Sequence, residues 1–163
     1  NLKLTALLVP REDVVNEVFE NEKQDYRLIS GFASSSVELG GVNYKVFNKY
    51  HGKDSLLSQV IPMIRVSEMY MIAAEAEPKV ADGVVYFNEL RNNRGLESIP
   101  DRWMSFMLDE EWCREFYGEG QLFFFYKRKM KTSVQSAYDR YGMTSVNLKN
   151  YVLPIPDGEL QYN

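Results

Sequence analysis

Few residues in this 163-residue chain have the chemistry of a catalytic centre. His51 is the only histidine and Cys113 the only cysteine, so Ser-His-Asp or Cys-His catalysis would depend on His51 alone. His51 stands in the polar stretch Tyr50-His51-Gly52-Lys53, which is typical of a solvated loop. The sequence contains no glycine-rich phosphate loop and no Cys/His cluster with metal-ligand spacing. We therefore expect no cofactor and no metal.

Pairs of acidic residues are the remaining possibility, because a glycosidase needs only two carboxylates across a cleft. Asp109, Glu110 and Glu111 are adjacent on a predicted helix and cannot all face one cleft. Glu68 and Glu75 share a helical face, but nothing in the pattern indicates a cleft over them. We expect a non-enzymatic protein, with a glycan hydrolase as a weaker alternative.

Charged residues interrupt the best helical stretch of the chain, IPMIRVSEMYMIAAEAEP at residues 61–78. The stretch is apolar almost all round, as in a buried helix, and charges are rarely buried without partners. Arginine is the suitable partner because its planar guanidinium can hold two carboxylates. We predict an ion-pair network in which Glu68 or Glu75 pairs with an arginine of another helix; the alternative is separate, exposed charges. The members of the predicted network are Arg65, Glu68, Glu75, Arg91, Arg94 and Arg114.

Hydrophobic periodicity predicts the elements that position these residues. Residues 62–77 and 79–94 have complementary apolar stripes and a short turn at Pro78, so they should form an antiparallel helix pair. Alternation in Val42-Asn43-Tyr44-Lys45-Val46 predicts a β-hairpin over about residues 25–50. Other helices are predicted over about residues 10–22, 102–117 and 121–130.

Composition indicates one globular domain over residues 1–163, with 45% hydrophobic residues to build a core. The net charge of −4 and the lack of a basic block argue against a nucleic-acid partner. No apolar run is long enough to span a membrane. The expected fold class is mainly α, with tetratricopeptide-like antiparallel helix pairs, a small β-hairpin and irregular loops. Its parts are the hairpin at about 25–50, a helical core at about 61–131 and an irregular C-terminal segment at 132–163.

Four motifs occur in a recognisable order between about residues 60 and 160. They are PMIRVSEMYMIAAEA, YFNELRNNRGL, EEWCREFYGEGQLFFFYKR and YVLPIPDGEL. Together they resemble the characteristic segments of the SusD/RagB family. The positions that match the second and third motifs of the family are Arg91, Arg94, Gly95, Leu96, Glu111, Glu115, Phe116, Glu119, Gly120, Phe123, Phe124, Lys127 and Arg128.

The resemblance implies a nutrient-binding role. Members of the family are surface lipoproteins of the Gram-negative outer membrane that cover a SusC-like TonB-dependent transporter and capture glycans or other nutrients. The implied partners are therefore this transporter and a glycan or oligosaccharide, with membrane attachment only through a lipid anchor. The family's signal peptide and lipid-anchor cysteine are not found in this sequence, so we expect the chain to be the C-terminal part of such a protein. A tetratricopeptide-like module that binds a peptide or protein is the alternative.

Sugars bind to proteins by laying ring faces on exposed aromatics beside polar groups, and 13% of this chain is aromatic. Tyr138, Tyr141 and Tyr151 lie in a polar stretch at 132–151 and are the predicted ligand-binding residues. Trp103 and Trp112 are poorer candidates because helical spacing directs them toward the core. The alternative is that these tyrosines only attach the loop to the helices.

Overall fold

The computed structural model describes residues 15–16, 18–19, 22–32, 36–39, 42–45, 47, 49, 62–136, 142–156 and 158–159. The chain divides into two compact units, residues 1–115 and 116–163, which are described separately. The single domain that the sequence predicts therefore stays a prediction. In agreement with the expected fold class, the described residues are mainly α-helical with small antiparallel hairpins.

The first unit contains four helices and one hairpin among its described residues. The helices are α1 (Tyr26–Phe32), α2 (Val66–Ala76), α3 (Val80–Asn92) and α4 (Met104–Glu115). A short 3-10 turn, Asp101–Trp103, leads into α4. The hairpin pairs β1 (Ser36–Leu39) with β2 (Val42–Lys45).

The predicted antiparallel helix pair is confirmed as α2 and α3. The two helices are joined by a short turn at residues 77–79, and their buried faces include Met71 and Ala74 of α2 and Phe87 of α3. Gly83 permits the close approach, because a Cβ atom at this position would lie only 2.4 Å from the carbonyl oxygen of Ala74. The backbones of α2 and α3 therefore lie in direct contact at Gly83 and Ala74.

Gly95 ends the second helix of the pair, as its sequence position predicts. Its φ of +79° is in the left-handed region that glycine tolerates. The Leu96 amide donates to the Arg91 carbonyl at 3.0 Å and the Gly95 amide to the Asn92 carbonyl at 3.1 Å. These two bonds define a Schellman motif, and the buried side chain of Leu96 completes it.

Replacing glycine by alanine should change the free energy of unfolding in opposite directions at Gly83 and at Gly31. Gly83→Ala forces a Cβ against the backbone of α2, and overpacking of this kind costs about 1–3 kcal/mol. At Gly31, in α1, no described atom lies within 4 Å of the added Cβ, so Gly31→Ala should stabilise by up to about 1 kcal/mol through helix propensity. Urea unfolding of both variants checks the contrast, and equal effects would contradict it.

The hairpin predicted over 25–50 is wrong in its first part, where the chain forms α1 instead. Asp25 starts this helix: its Oδ1 accepts a hydrogen bond from the Arg27 amide at 2.8 Å, as an N-cap residue does. The strands are confined to 36–39 and 42–45, with Val37 opposite Tyr44. The predicted helix at about 10–22 lies largely outside the described residues.

The second unit is built on α5 (Leu122–Arg128), which confirms the short helix predicted there. The segment 132–163 was expected to be irregular, and this is wrong in part, because β3 (Ser133–Gln135) pairs with β4 (Met143–Ser145). A 3-10 turn, Leu148–Tyr151, follows. Strands of three residues are too short to show a clear alternation of apolar and polar residues, so hydrophobic periodicity does not predict them.

Candidate functional site

The most polar part of the interior is a cluster of ion pairs around the C-terminal turns of α4. Arg114 and Glu115 follow Glu111 at three and four positions, so the three side chains lie next to one another on this helix. All three are buried. Their partners come from α1, from the helix pair and from the residues before α1. The cluster therefore ties distant parts of the first unit to one helix.

Glu111 is at the centre of the cluster, and its side chain has no exposed surface. Its Oε1 accepts a hydrogen bond from Arg27 Nη1 at 2.6 Å, and its Oε2 lies 3.5 Å from Arg114 Nη1. Arg27 also binds Asp25 through Nε and Nη2 at 3.0 and 2.6 Å. Two nitrogens of the planar Arg27 guanidinium thus bind the two carboxylate oxygens of Asp25, a bidentate geometry for which arginine is suited.

Within the described cluster, Glu115 contacts more side chains than any other carboxylate does. Its carboxylate accepts hydrogen bonds from Ser67 Oγ at 2.8 Å, Arg27 Nη1 at 2.8 Å and Arg94 Nη2 at 3.1 Å. Arg65 Nη1 lies 3.5 Å from Oε1 and also donates to the Glu115 carbonyl at 3.2 Å. The Lys49 ammonium donates to the same carbonyl. One residue thus connects α1, α2 and the end of α3.

A second buried pair joins α3 to the residues before α1. Arg91 Nη2 donates to Glu22 Oε1 at 2.7 Å, and both side chains are almost fully buried. Arg91 Nε donates to the Glu97 carbonyl at 2.9 Å. Arg114 makes an equivalent link, because its Nε donates to the Val18 carbonyl at 2.8 Å.

These contacts favour the charged forms of two members of the cluster, Glu115 and Arg27. Burial raises the pKa of Glu115, but Arg94, Arg27, Ser67 and Lys49 lower it by more, so the carboxyl has a pKa below its ordinary value of 4.5. Burial lowers the pKa of Arg27, but Glu111 and Asp25 raise it above its ordinary range. Both groups therefore carry their charge near neutral pH.

Acid should destabilise the first unit through Glu115. Because its pKa is lower in the folded than in the unfolded chain, its stabilising contribution is complete above 4.5 and is lost as the pH falls through the folded pKa. Urea unfolding measured from neutral pH downward should show a smaller pH dependence in Glu115→Gln than in the wild type. Glu97→Gln, at an exposed carboxylate, is the control. The same pH profile in both variants would contradict this role.

Four of the six residues of the predicted network pair with carboxylates: Arg65, Arg94 and Arg114 in the cluster at α4, and Arg91 in the second pair. Arg65 and Arg94 contact Glu115, Arg91 contacts Glu22, and Arg114 contacts Glu110 and Glu111. The two remaining members, Glu68 and Glu75, lie half-buried on α2. The carboxylates that the structure describes against these arginines lie outside α2, and the pairing of Glu68 or Glu75 stays a prediction.

Sequence reasoning missed Glu22, Asp25 and Arg27. The available signal was the pattern Asp25-Tyr26-Arg27, in which an N-cap aspartate precedes an arginine that can fold back on it. The strand-like alternation at residues 42–46 hides that signal, because it predicts a hairpin over the whole stretch from about 25 to 50.

The charged groups of the cluster are arranged to hold the helices together. Asp25, Glu22, Glu111 and Glu115 each lie against an arginine, so these carboxylates are held as charge partners. Among the described residues no group of three or more His, Cys, Asp or Glu side chains has the arrangement of a metal site. Cys113 is a half-buried thiol, and His51 lies outside the described residues.

Tyr151 is the one predicted ligand residue that the structure describes. It is 6% exposed, its hydroxyl donates to the Lys131 carbonyl at 2.7 Å, and its ring lies 5.8 Å from that of Phe123. A ring this buried has no face for a sugar, so Tyr151 attaches the last turn to the end of α5. Tyr138 and Tyr141 lie outside the described residues, and their role stays a prediction.

The two tryptophans differ in a way that the sequence did not predict. Trp112 is buried, as expected from its helical position. Trp103 is 52% exposed, because it ends the 3-10 turn before α4 and does not follow the stripe of that helix. The expectation that Trp103 faces the core is wrong.

The helix pair α2 and α3 and the buried ion pairs that join it to α1 and α4 form a helical scaffold in the described part of the first unit. The model of the SusD family matches residues 32–163, and the chain belongs to this family. No curated protein and no solved structure matches the chain significantly.

Membership supports a general role in binding nutrients or glycans, because members of the SusD family are binding proteins. They are typically surface lipoproteins of the outer membrane that work with SusC-like transporters. Within the described part of the chain, no helix is long and apolar enough to cross a bilayer.

Proposed function

We propose that this chain belongs to a surface lipoprotein that captures a glycan and delivers it to a SusC-like TonB-dependent transporter in the outer membrane. The observation that carries the proposal is the family match over residues 32–163. The braced helix pair supports it, because a rigid scaffold presents binding loops in a fixed arrangement. Attachment to the membrane would occur through a lipid anchor.

We propose further that the protein has no enzymatic activity. Glycosidase chemistry requires one carboxylate that donates a proton and one that attacks or activates water. The buried carboxylates Glu22, Glu111 and Glu115 are each bound to an arginine, so they act as structural charge partners of the helices.

The ligand should be held by exposed aromatic side chains. Tyr138 and Tyr141 remain the candidates from the sequence, since both stand among polar residues such as Asp139 and Arg140. Trp103 joins them, because half of its surface is exposed and the adjoining Asp101 and Arg102 are exposed as well. A large ring beside hydrogen-bonding groups is the combination that sugars require.

Replacing Tyr138 and Tyr141 by alanine, singly, in the full-length protein should weaken glycan binding. Loss of one stacking contact costs on the order of 1 kcal/mol, close to tenfold in affinity. Calorimetric titration with a glycan that the wild type binds measures the effect. Tyr151→Phe is the matched control, because it removes only a hydroxyl that bonds to Lys131. Unchanged affinity in both alanine variants would place the site elsewhere in the protein.

An interaction module for a peptide or protein is the second candidate, and one feature favours it. Val66, Met69 and Ile72 follow one another on α2 at helical spacing and are exposed, as are Met63 and Ile64 before the helix. Apolar stripes of this kind are found where amphipathic helices dock. A TonB-dependent transporter gene beside the gene for this protein would favour nutrient uptake, and its absence would favour the interaction module.

A further inference from the structure

The outer face of α2 is apolar and exposed to solvent. Helical spacing places Ser67, Met71 and Ala74 on the buried side of this helix and a second set of residues on the opposite side. Single exposed apolar side chains are common, whereas a continuous row of them marks an interaction surface. We call this row, with the two exposed residues that lead into the helix, the α2 stripe: Met63, Ile64, Val66, Met69, Ile72 and Ala76.

The shape of the α2 stripe suits another helix. The exposed fractions of its large side chains run from 45% at Ile72 to 88% at Met63. The helix has 11 residues, so the stripe runs about 16 Å along it, the length of three turns of a second helix. The small side chain of Ala76 leaves room for the roughly 8–10 Å at which the axes of packed helices approach each other. Met63 and Met69 are flexible side chains that can adapt to the shape of a partner.

Acidic residues flank the α2 stripe on both edges. Glu68 lies one turn before Ile72 on one edge. Glu77 lies one turn after Ala73 on the other edge, and its amide donates to the Ala73 carbonyl at 3.2 Å, which holds it at the end of the helix. Charges at the edge of an apolar contact steer a partner and fix its register. The two carboxylates are therefore placed to select a partner by its charge.

The charge around the α2 stripe is negative. Between residues 62 and 82, a range that the structure describes completely, four residues are acidic and two are basic. One of the two cations, Arg65, is directed inward, because it lies 3.5 Å from a carboxylate oxygen of Glu115 and donates to the carbonyl of the same residue. The other, Lys79, is exposed. A second copy of the chain would place acidic edges against acidic edges, so the complementary partner is basic.

We propose that the α2 stripe binds an amphipathic helix of a partner protein. The partner has apolar residues at positions i, i+3, i+4 and i+7 against the stripe, and lysine or arginine on both sides of them, toward Glu68 and Glu77. Apolar contact supplies most of the affinity, and the charges exclude acidic helices. This inference rests on the second candidate function above, for which it names the partner, and it is independent of glycan capture.

Two helical peptides of about 18 residues, above the length at which isolated helices are marginal, test the charge requirement. Both carry leucine on one face, and they differ in having lysine or glutamate at the flanking positions. Fluorescence anisotropy of the labelled lysine peptide, titrated with the full chain, should show saturable binding that weakens as salt is raised. The glutamate peptide should bind at least about tenfold more weakly, because its charges meet the acidic edges of the stripe.

A matched pair of variants tests the location. Met69→Gln, at the centre of the stripe, should weaken binding of the lysine peptide about tenfold through loss of one apolar anchor. Val85→Gln is the control, because Val85 is also an exposed apolar residue, and its position two residues after Gly83 turns it away from α2. Val85→Gln should bind the peptide as the wild type does. Both sites are exposed, so both variants should keep the helical circular dichroism of the wild type.

A charge variant tests the acidic edge. Glu68→Gln should weaken binding of the lysine peptide and strengthen binding of the glutamate peptide, because it removes one negative charge from the edge of the stripe. A general loss of structure would weaken both. Methyl NMR should show shifts at Met63 and Met69 on addition of the lysine peptide, and none at Met130 and Met143, which are exposed in the second unit.

Four results would overturn the proposal: no saturable binding, equal binding of the two peptides, equal losses in Met69→Gln and Val85→Gln, or a dimer of the chain that Met69→Gln abolishes. The dimer would make a second copy the occupant of the stripe. Glycan binding by Met69→Gln should match that of the wild type, so this proposal and glycan capture can fail separately.

Discussion

Glu111→Ala is expected to lower the free energy of unfolding by about 3–5 kcal/mol, the usual cost of breaking a buried ion pair from one side. The side chain has no exposed surface, and its removal leaves a space between Arg27 and Arg114 inside the protein. Arg27 keeps Asp25 and Glu115 as partners and Arg114 keeps Glu110, so the loss comes mainly from the buried 2.6 Å bond to Arg27 and from the space that is left. Urea unfolding at neutral pH measures the change.

The neighbouring residue provides the control for this variant. Glu110 lies on the same helix and contacts the same arginine, Arg114, at 2.8 Å, but its side chain is 38% exposed. Pairs exposed to solvent contribute about 0–1 kcal/mol, so Glu110→Ala should cost much less than Glu111→Ala. Equal losses in the two variants would mean that burial does not decide the strength of this cluster.

The pair of Arg91 and Glu22 should show strong coupling. Glu22→Leu and Arg91→Met each leave a buried charge without its partner, and each should cost about 3–5 kcal/mol. The double variant leaves no charge behind and should cost less than the sum, with a coupling of about 1–3 kcal/mol. A thermodynamic cycle from urea unfolding of the four proteins gives the coupling directly.

Arg91 also donates to the Glu97 carbonyl, and this bond is lost in both the single and the double Arg91 variants. Its loss therefore cancels in the cycle. The same cycle on Arg114 and Glu110 is the exposed counterpart, and its coupling should stay below about 1 kcal/mol. Additive losses for Arg91 and Glu22 would show that the two residues contribute independently.

The ion pairs extend beyond the part of the chain that defines the family. The family match begins at residue 32, whereas Glu22, Asp25 and Arg27 precede it. Glu22 nevertheless pairs with Arg91, and Arg27, which Asp25 holds, pairs with Glu111 and Glu115. The segment before the matched region is thus joined to the helical core by charge as well as by the buried rings of Phe19 and Phe32.

The helix pair could be predicted from the sequence because both its signals are local. Apolar periodicity defines each helix, and Pro78 and Gly95 mark where each one ends. The arginines of the cluster were identifiable for a related reason, since a charge on an apolar face must find a partner. Helical spacing identifies the apolar face of each helix, and therefore the arginines that lie on it.

The carboxylate partners could not be predicted, because they depend on which elements meet in space. Glu115 contacts Arg27 of α1, Ser67 of α2 and Arg94, which follows α3, and no sequence spacing encodes that meeting. The start of α1 could not be predicted because the N-cap at Asp25 is a weak signal beside the strand-like alternation that follows it. Trp103 was misplaced because a 3-10 turn shifts its direction relative to α4.

Glycan-array binding by the full-length protein is the measurement that tests the proposed function most directly. Capture of a nutrient glycan predicts selective binding to at least one class of oligosaccharide, and that binding should weaken in Tyr138→Ala or Tyr141→Ala. Circular dichroism on the same sample should show the mainly helical fold, so that a negative result has meaning. A helical, folded protein that binds no glycan on the array would contradict glycan capture and would favour the interaction module.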